Sequence, residues 1–238
     1  MKNQVLLKLH NVSINFESKK VLRKVNLELG KGEVVCVIGE SGCGKTTILN
    51  AIQGLLNLNA GKILFNGQKI LEPKEVLVPG QDGISTVFQD FQVQEHLTVQ
   101  NNLFHEVNHL SVTQQKKIVS ESIKVCQLLE VRNKFPAEIS GGQRQKLALA
   151  KSLIANPELI LLDEPFSHLD NISKSSFKEI ITSLKAKGMS FVYVTHDVND
   201  AVMYSDRVIV LKDGKIERDV VSVELFKRRR LISITIPS

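Results

Sequence analysis

Apolar and polar positions alternate along the first part of the chain with the period of two that is typical of half-buried strands. Two such runs precede residue 30, with apolar residues at Val12, Ile14, Phe16 and then at Val25, Leu27, Leu29. The next apolar stretch, residues 34–38, is continuous, rich in β-branched side chains and followed by Gly39. A short run of this kind predicts a strand that is buried on both faces.

The spacing of apolar residues then becomes helical. A helix is predicted by Ile48, Ile52, Leu55 and Leu56. Asn66-Gly67 predicts a hairpin turn after it. From about residue 97 to residue 155 strand signals fade, and two helical stripes lie on either side of Pro136. Their members are Ile118, Val125, Cys126, Leu129, and then Leu147, Ala150, Leu153, Ile154.

The last part of the chain alternates strands and helices again. Apolar runs at residues 159–162, 191–194 and 208–211 predict buried strands, and Asp213-Gly214 predicts a turn after the third. Between the first two runs a helix is predicted by Phe177, Ile180, Ile181 and Leu184. Strands that alternate with helices are typical of a mostly parallel sheet.

Composition limits the class of protein. The 238 residues are 42% hydrophobic and 24% charged, which is typical of a globular domain. No apolar run approaches the length of about 18 residues that a membrane helix needs, and the N-terminus lacks a signal-peptide pattern. We therefore expect a chain that is soluble in itself and cytoplasmic. Cys36, Cys43 and Cys126 lack metal-ligand spacing, and we expect buried or loop thiols.

The formal net charge is +6, and most of it is scattered. The one basic run, Lys227-Arg228-Arg229-Arg230, predicts a solvated tail, with contact to anionic lipid headgroups as the alternative. No helix-turn-helix, zinc-finger or aromatic-interleaved pattern accompanies it, so no nucleic-acid partner is expected.

The first candidate site fits the P-loop pattern G-x-x-x-x-G-K-[ST]. Its residues, with the threonine that follows, are Gly39, Glu40, Ser41, Gly42, Cys43, Gly44, Lys45, Thr46 and Thr47. Glycines let the backbone wrap phosphates, and successive N–H groups and a helix N-terminus attract the anion. Lys45 supplies a point charge for the β- and γ-phosphates, and the Thr46 hydroxyl is a ligand for Mg²⁺. The pattern predicts a nucleoside triphosphate site.

A second nucleotide motif follows the predicted strand at residues 159–162. Asp163 comes directly after it, at the end of a strand where ligands bind in open α/β sheets. A carboxylate there can hold Mg²⁺. Glu164 is next, and a second carboxylate beside the metal suits general-base work on an attacking water. Together with the P-loop, this motif predicts an NTPase.

A third motif indicates which kind of NTPase. Residues 139–143 read Ile-Ser-Gly-Gly-Gln and resemble the Leu-Ser-Gly-Gly-Gln signature of the ABC (ATP-binding cassette) family, with isoleucine for leucine. Alone, Ser-Gly-Gly before a helix could be a helix cap. About twenty residues before the second nucleotide motif, it resembles the family's second phosphate-binding segment. The resemblance assigns nucleotide contacts to Ser140, Gly141, Gly142 and Gln143.

Further residues match the family in order. Phe16 resembles the aromatic residue that stacks on adenine, although an ordinary strand residue is the alternative. Gln89 resembles the Q-loop glutamine, which contacts Mg²⁺ and water. Ser167-His168-Leu169-Asp170 resembles the D-loop, and Asp170 is assigned to the nucleotide site with it. His196 resembles the switch histidine that holds the γ-phosphate and the water.

The resemblance covers residues 5–218 and implies a single α/β domain. We expect a P-loop NTPase core with a mostly parallel sheet, an N-terminal antiparallel β subdomain and an inserted helical subdomain. The core would span residues 1–92 and 156–226, the helical subdomain 93–155, and a short basic tail 227–238. The resemblance also implies a head-to-tail dimer, homodimeric or pseudo-symmetric, that shares two ATP molecules between P-loop and signature.

The same resemblance implies partners and a location. We expect transmembrane permease subunits and a solute-binding protein as partners, with the chain at the cytoplasmic face of the cell membrane as a peripheral subunit. The segment from Val87 to Leu103 and the helical subdomain would carry the docking surface. The cofactors would be ATP and Mg²⁺.

Finer features of the same motifs bear on the direction of transport. Residues 161–170, with Thr195-His196-Asp197, resemble importers of inorganic ions, polyamines and sugars. Two departures are the absence of a regulatory β domain after the cassette and of a proline before His96-Leu97-Thr98. An export-type ATPase is therefore an alternative. A soluble ABC ATPase of translation or DNA repair is the other, although such proteins carry two cassettes or long coiled coils.

Overall fold

Two sheets and the helices packed on them form the structure. A computed structural model describes residues 4–17, 19–167 and 169–222. The strands are β1 Val5–Phe16, β2 Lys19–Gly30, β3 Val34–Ile38, β4 Ala60–Phe65, β5 Gln68–Lys69, β6 Ile84–Val87, β7 Leu159–Asp163, β8 Ser190–Thr195, β9 Arg207–Lys212 and β10 Lys215–Val221. The α-helices are α1 Lys45–Ile52, α2 Val99–Glu106, α3 Val112–Val125, α4 Gly141–Leu153, α5 Asn171–Ala186 and α6 Val198–Tyr204.

The first sheet is antiparallel and has the strand order β2-β1-β4-β5. Its alternating pattern places one set of side chains in a core that also contains Val35 and Val37 of β3 and Ile48 and Ile52 of α1. The period-two pattern predicted this half-buried sheet, and the prediction is confirmed.

The second sheet has the order β10-β9-β3-β8-β7-β6. Its strands from β9 to β6 are parallel, and β10 pairs with β9 as an antiparallel edge. All five residues of β3 are buried, as their continuous apolar run requires. The carboxyl ends of β3, β6, β7 and β8 therefore meet at one edge of the sheet, and each predicted motif of the core follows one of these strands.

Helices fill the chain between β6 and β7, where the pattern predicted them. α2, α3 and α4 bury Leu103, Val119, Ile123 and Leu147 in a core that continues onto one face of the parallel sheet. The predicted α/β fold, with antiparallel and mostly parallel sheets and inserted helices, is confirmed. The subdomain boundaries at residues 92/93 and 155/156 stay predictions.

Two helix predictions were wrong at their ends. α1 stops at Ile52, so Leu55 and Leu56 lie outside it, because Gly54 adopts a left-handed φ of 79° that ends the helix. Leu129 does not continue the stripe of α3. It lies in a 3-10 turn after Gln127, another left-handed residue, and is 60% exposed.

Some predictions fall outside the described residues. The tail at 227–238, with its basic run Lys227-Arg228-Arg229-Arg230, lies beyond Ser222, and His168 of the D-loop is also not described. Within residues 4–17, 19–167 and 169–222, no helix has the length and apolar character required to cross a membrane.

Candidate nucleotide site

The loop between β3 and α1 has the shape of a phosphate cradle. A Cβ at Gly39 would collide with the carbonyl oxygen of Leu211, and Gly44 has a φ of 109° with Leu22 packed against it. Both positions thus require glycine. α1 begins at Lys45 without a side-chain cap, so its first N–H groups remain available for an anion.

The Lys45 side chain lies across this loop. Its Nζ donates to the carbonyl oxygens of Gly39 at 2.8 Å and Glu40 at 2.9 Å. The ammonium is therefore already positioned inside the cradle, where a phosphate would replace the carbonyl contacts.

A cavity of about 500 Å³ opens beside the cradle. P-loop residues 40–43, the start of β2 and the turn between β9 and β10 line it. Four of its lining side chains are cationic: Lys19, Lys20, Arg23 and Lys212. Glu40 and Asp213 also line it, so cations exceed carboxylates by two, and a concave surface with this excess favours an anionic ligand. The motif search missed these residues, because only the folded chain brings β2 and β9 to the P-loop.

Phe16 lies next to this cavity and does not line it. It ends β1 opposite Lys19, which does line the cavity, and it is 48% exposed. An exposed ring at the rim is available for stacking on a base. Its predicted contact with adenine stays a prediction.

The two motifs of the core meet through a hydrogen bond. The Thr46 Oγ1 donates to Asp163 Oδ2 at 3.1 Å, although 117 residues separate them. Burial raises the pKa of Asp163, and the bond from Thr46 opposes that shift. Thr47 follows on the same helix and is half-buried. The pair Thr46–Asp163 offers two oxygen ligands at one point.

Glu164 and His196 form the second contact at this edge. His196 Nδ1 lies 3.0 Å from Glu164 Oε1, and the histidine side chain is 68% exposed while the carboxylate is 14% exposed. The other carboxylate oxygen, Oε2, is buried and has no hydrogen-bond partner among the described residues. A buried acceptor without a donor is costly, so this oxygen would be stabilised by a donor that ligand binding brings to it.

The backbone holds both residues in place. Glu164 has a left-handed φ of 48°, and its N–H donates to the carbonyl of Val194 in β8 at 3.0 Å. His196 follows β8, and α6 begins two residues later with Asp197 as its cap. α6 is fastened to α5 because Lys174 Nζ donates to both oxygens of the buried Asp200 at 2.8 Å.

The signature residues surround the start of α4. Ser140 Oγ accepts from Gln143 N at 3.2 Å, and Gln143 Oε1 accepts from Ser140 N at 3.0 Å. This reciprocal cap occupies the Gln143 side chain, whereas Ser140 and Gly141 are exposed. Gly142 is buried against Ser173 of α5. The motif is thus both a helix cap and an exposed helix N-terminus.

Gln89 lies near the signature. A cavity of about 310 Å³ is lined by Gln89, Asp90, Phe91, Gly141 and Leu169. It therefore gathers the Q-loop, the signature and the D-loop, whereas the P-loop cavity contains none of the three. Asp170 caps α5 by accepting from Ser173 N at 2.8 Å, and this bond lowers the pKa of Asp170. The predicted residues therefore form two groups in one chain.

A sequence model of the ABC transporter family matches residues 22–167, more than half of the chain. The chain belongs to the ABC transporter family. The matched region includes the P-loop, Gln89, the signature and the second nucleotide motif, so the predicted family is confirmed. This member of the family is an ATPase, and its nucleotide is ATP.

Relatives match almost the full length of this ABC ATPase. The spermidine/putrescine import ATP-binding protein PotA of Bacillus cereus is 32% identical over 232 residues, which are 96% of this chain and 70% of that protein. PotA of Haemophilus influenzae is 32% identical over 231 residues, covering 95% of this chain and 61% of its own length.

Solved ABC cassettes share the fold. CbiO1 of Clostridium perfringens, part of the ABC transporter complex CbiONQ, has a TM-score of 0.88 at 25% identity and covers 95% of this chain and 92% of its own. The dimeric cassette MJ0796 bound to ADP and Pi has a TM-score of 0.79 at 32% identity, over 91% and 99% of the two chains. The predicted fold and enzyme class are confirmed by these matches.

Proposed function

We propose that this ABC ATPase powers an importer of ions or small solutes, with Glu164 as the general base of ATP hydrolysis. The observation that carries the assignment of Glu164 is its largely buried side chain, which contacts His196 through one oxygen and leaves the other, buried oxygen without a hydrogen-bond partner among the described residues. The import direction is supported by the curated relatives, whose names describe spermidine/putrescine import.

ATP would bind along the P-loop, with its phosphates in the cradle of residues 39–47 and its base toward Phe16. The ammonium of Lys45 would exchange its two carbonyl contacts for phosphate oxygens. The cations of the adjoining cavity would add attraction for the triphosphate.

The site fits Mg²⁺, because Thr46 and Asp163 present a hydroxyl and a carboxylate within 3.1 Å of each other, and hard cations bind oxygen ligands. The amide oxygen of Gln89 is the third proposed ligand, and its side chain, which lines the cavity beside Gly141, would have to turn toward Thr46 and Asp163 to reach the metal. Among the described residues no group of three or more His, Cys, Asp or Glu side chains could hold a metal alone, so phosphates and water would complete the shell. Bound Mg²⁺ supplies charge neutralisation at the phosphate oxygens.

Glu164 would accept the proton from the attacking water. The water oxygen forms a bond to the γ-phosphorus while the bond to the bridging oxygen breaks, and ADP and phosphate leave. His196, whose Nδ1 faces Glu164, would orient that carboxylate and present its remaining ring nitrogen to the γ-phosphate. The exposure of His196 suits a residue that contacts ligand.

The dimer would complete each site. Ser140 and Gly142 stand at a second helix N-terminus that is absent from the P-loop cavity of the same chain. If a second subunit closed this helix over the γ-phosphate, it would stabilise charge and exclude water. Asp170 and the D-loop lie beside that helix. A dimer is supported by the similar cassette MJ0796, whose structure with ADP and Pi is dimeric.

Permease subunits would dock on the segment from residue 87 to residue 103 and on the inserted helices. A groove of about 520 Å³ lies on α2, α3 and the turn after α3, and both apolar and basic residues line it. The apolar residues are Phe104, Val119, Ile123 and Leu129, and the basic residues are Lys116, Lys124 and Arg132. The chain would work as a peripheral subunit at the cytoplasmic face of the membrane, and a solute-binding protein would deliver cargo.

Replacing Glu164 by glutamine tests this function. Glutamine keeps the size of the side chain and removes the base, so ATP should still bind while turnover falls by about two to four orders of magnitude. ATP affinity, steady-state hydrolysis and the dimer fraction by size-exclusion chromatography are the measurements. We expect the variant with ATP to accumulate as a closed dimer.

The matched control is Glu217→Gln, which removes an exposed carboxylate from β10. It should hydrolyse ATP at the wild-type rate. Near wild-type hydrolysis by Glu164→Gln would show that the general base is another group.

A further inference from the structure

The backbone makes an unusual bend directly after Gln89. Phe91 has a φ of 60° and Gln92 a φ of 44°, and neither is glycine. Two consecutive left-handed residues with a Cβ are unfavourable and persist only where neighbouring groups hold them. The bend therefore requires a partner that fastens it.

That partner is Lys151 of α4. Its Nζ donates to the carbonyl oxygen of Gln92 at 2.7 Å and pairs with Glu106 Oε1 of α2 at 3.1 Å. The lysine side chain is only 16% exposed, so water competes little for these contacts. Phe91 and Val93, on either side of Gln92, pack against the core beneath.

A second cation of the same helix contacts the segment farther along. Arg144 Nη1 pairs with Glu95 Oε1 at 3.3 Å. Arg144 lies near the start of α4 and Lys151 near its end, and they contact Glu95 and Gln92 respectively. The segment 92–95 thus runs along α4 in the opposite direction and is held at both ends.

We propose that Lys151 is a positioning residue that fixes the exit of the Q-loop to the signature helix. Ser140 caps the start of α4, so the segment after Gln89 and the signature form one unit through this lysine. Movement of that unit relative to β6 must then occur between Val87 and Gln92. The role of Lys151 in turnover rests on the proposed functions of Gln89 and Ser140, whereas its contacts with Gln92 and Glu106 are independent of those functions.

The fastening has a specific consequence for kinetics. ATP binds on the β3–α1 side, which Lys151 does not touch, so the affinity for ATP should not depend on it. Gln89 and Ser140 act when the site closes, so the step after binding should depend on their common position. Loss of Lys151 should lower kcat and leave KM nearly unchanged.

Amide hydrogen exchange of the nucleotide-free chain is the direct test. A hydrogen bond from a charged group changes a local opening constant about tenfold or more. Lys151→Met should therefore speed exchange of amides 90–96 by at least about tenfold, while amides of α5 and β8 keep their rates. Its kcat should fall about fivefold or more, with KM within about twofold of wild type.

Matched variants separate the fastening from general damage. Lys151→Arg retains donors for both partners and should restore wild-type exchange and kcat. Glu106→Gln removes the ion pair and leaves the bond to Gln92, so its exchange at 90–96 should stay within about twofold of wild type. If Lys151→Met fails to fold, Lys151→Gln carries the test, since its shorter side chain cannot reach the carbonyl.

Unchanged exchange at 90–96 in Lys151→Met, or no restoration by arginine, would overturn the proposal. Faster exchange with unchanged kcat would show that Lys151 holds the segment but does not position residues for turnover, and this would also overturn the proposal. A wild-type chain that failed to hydrolyse ATP would contradict the proposed function. The exchange rates at amides 90–96 would still test the contact of Lys151 with Gln92, because they are measured without nucleotide.

Discussion

At the scale of single residues, burial distinguishes the three thiols. Cys36 and Cys126 are fully buried, and burial raises the pKa of Cys36 strongly and that of Cys126 to about 12. Cys43 lies in the P-loop, half-buried, and its pKa is raised less because the charge of Lys45 opposes the effect of burial. The thiolate is the reactive form, so reactivity should follow this order.

We expect an alkylating reagent at pH 8 to modify Cys43 well before the other two cysteines. ATP should slow the reaction, because phosphates in the cradle would cover the loop. Peptide mass spectrometry over a time course measures both effects.

The Cys43→Ala variant is the control and should lose the early modification. Modification of Cys126 as early as Cys43 in the folded chain would contradict the burial argument.

The identities of the site residues could be predicted from sequence, but their pairings could not. Lys45, Asp163 and His196 each follow a strand in a recognisable motif. The contact of Thr46 with Asp163 depends on strand order in the sheet, and the motif alone says nothing of it. The motif also does not show that one carboxylate oxygen of Glu164 is buried without a hydrogen-bond partner, because burial depends on the folded chain.

At the scale of elements, the starts of α4 and α5 pack through a glycine. A Cβ on Gly142 would lie 2.6 Å from Ser173 Oγ and 2.8 Å from Ser173 Cβ, so one helix would have to shift. A Cβ on Gly141, the neighbouring residue, would meet no atom within 4 Å. Helix packing therefore requires glycine at position 142 and leaves room for a side chain at position 141.

The Gly142→Ala substitution should lower the free energy of unfolding by about 1–3 kcal/mol, because overpacking exceeds the gain in helix propensity. Gly141→Ala should leave stability unchanged or raise it slightly. Urea denaturation midpoints of both variants and of wild type measure the difference.

Adding Ser173→Gly to Gly142→Ala removes both colliding atoms and should recover part of the loss. Equal midpoints for the two alanine variants would show that the helices tolerate the Cβ.

Strands and helices could be predicted from the sequence where the apolar pattern is long or continuous. β1, β2 and β3 carry long or continuous apolar patterns and were predicted. β6 has four residues with buried ends and half-buried middle positions, so it offers no period of two, and it was missed. The end of α1 was wrong because Gly54 overrides the apolar spacing beyond it.

At the scale of the whole molecule, the predicted site residues form two separate groups, which we propose are two half-sites. Lys45, Asp163 and Glu164 lie at the sheet edge, and the signature faces a different cavity together with Gln89. A head-to-tail dimer would join the P-loop of one subunit to Ser140 of the other. Complementation between two inactive chains can test this.

We expect Lys45→Met and Ser140→Arg homodimers to be inactive and their mixture to be active. Each heterodimer would contain one intact site, so an equal mixture should reach about a quarter of wild-type activity if subunits exchange freely and sites act independently. ATP hydrolysis as a function of mixing ratio is the measurement.

Mixing Lys45→Met with Glu164→Gln gives the control, because both changes affect the same half-site and no intact site can form. Full activity of Ser140→Arg alone would exclude a shared site.

The reciprocal cap at Ser140 also determines the direction of one proton. Because Ser140 Oγ accepts from Gln143 N, its own hydroxyl hydrogen points elsewhere and is available to a ligand. Aspartate and asparagine cap helices as well as serine does, yet a carboxylate at this position would repel an anion. Folding alone would accept aspartate at this position, whereas an anionic ligand requires a neutral side chain that can donate.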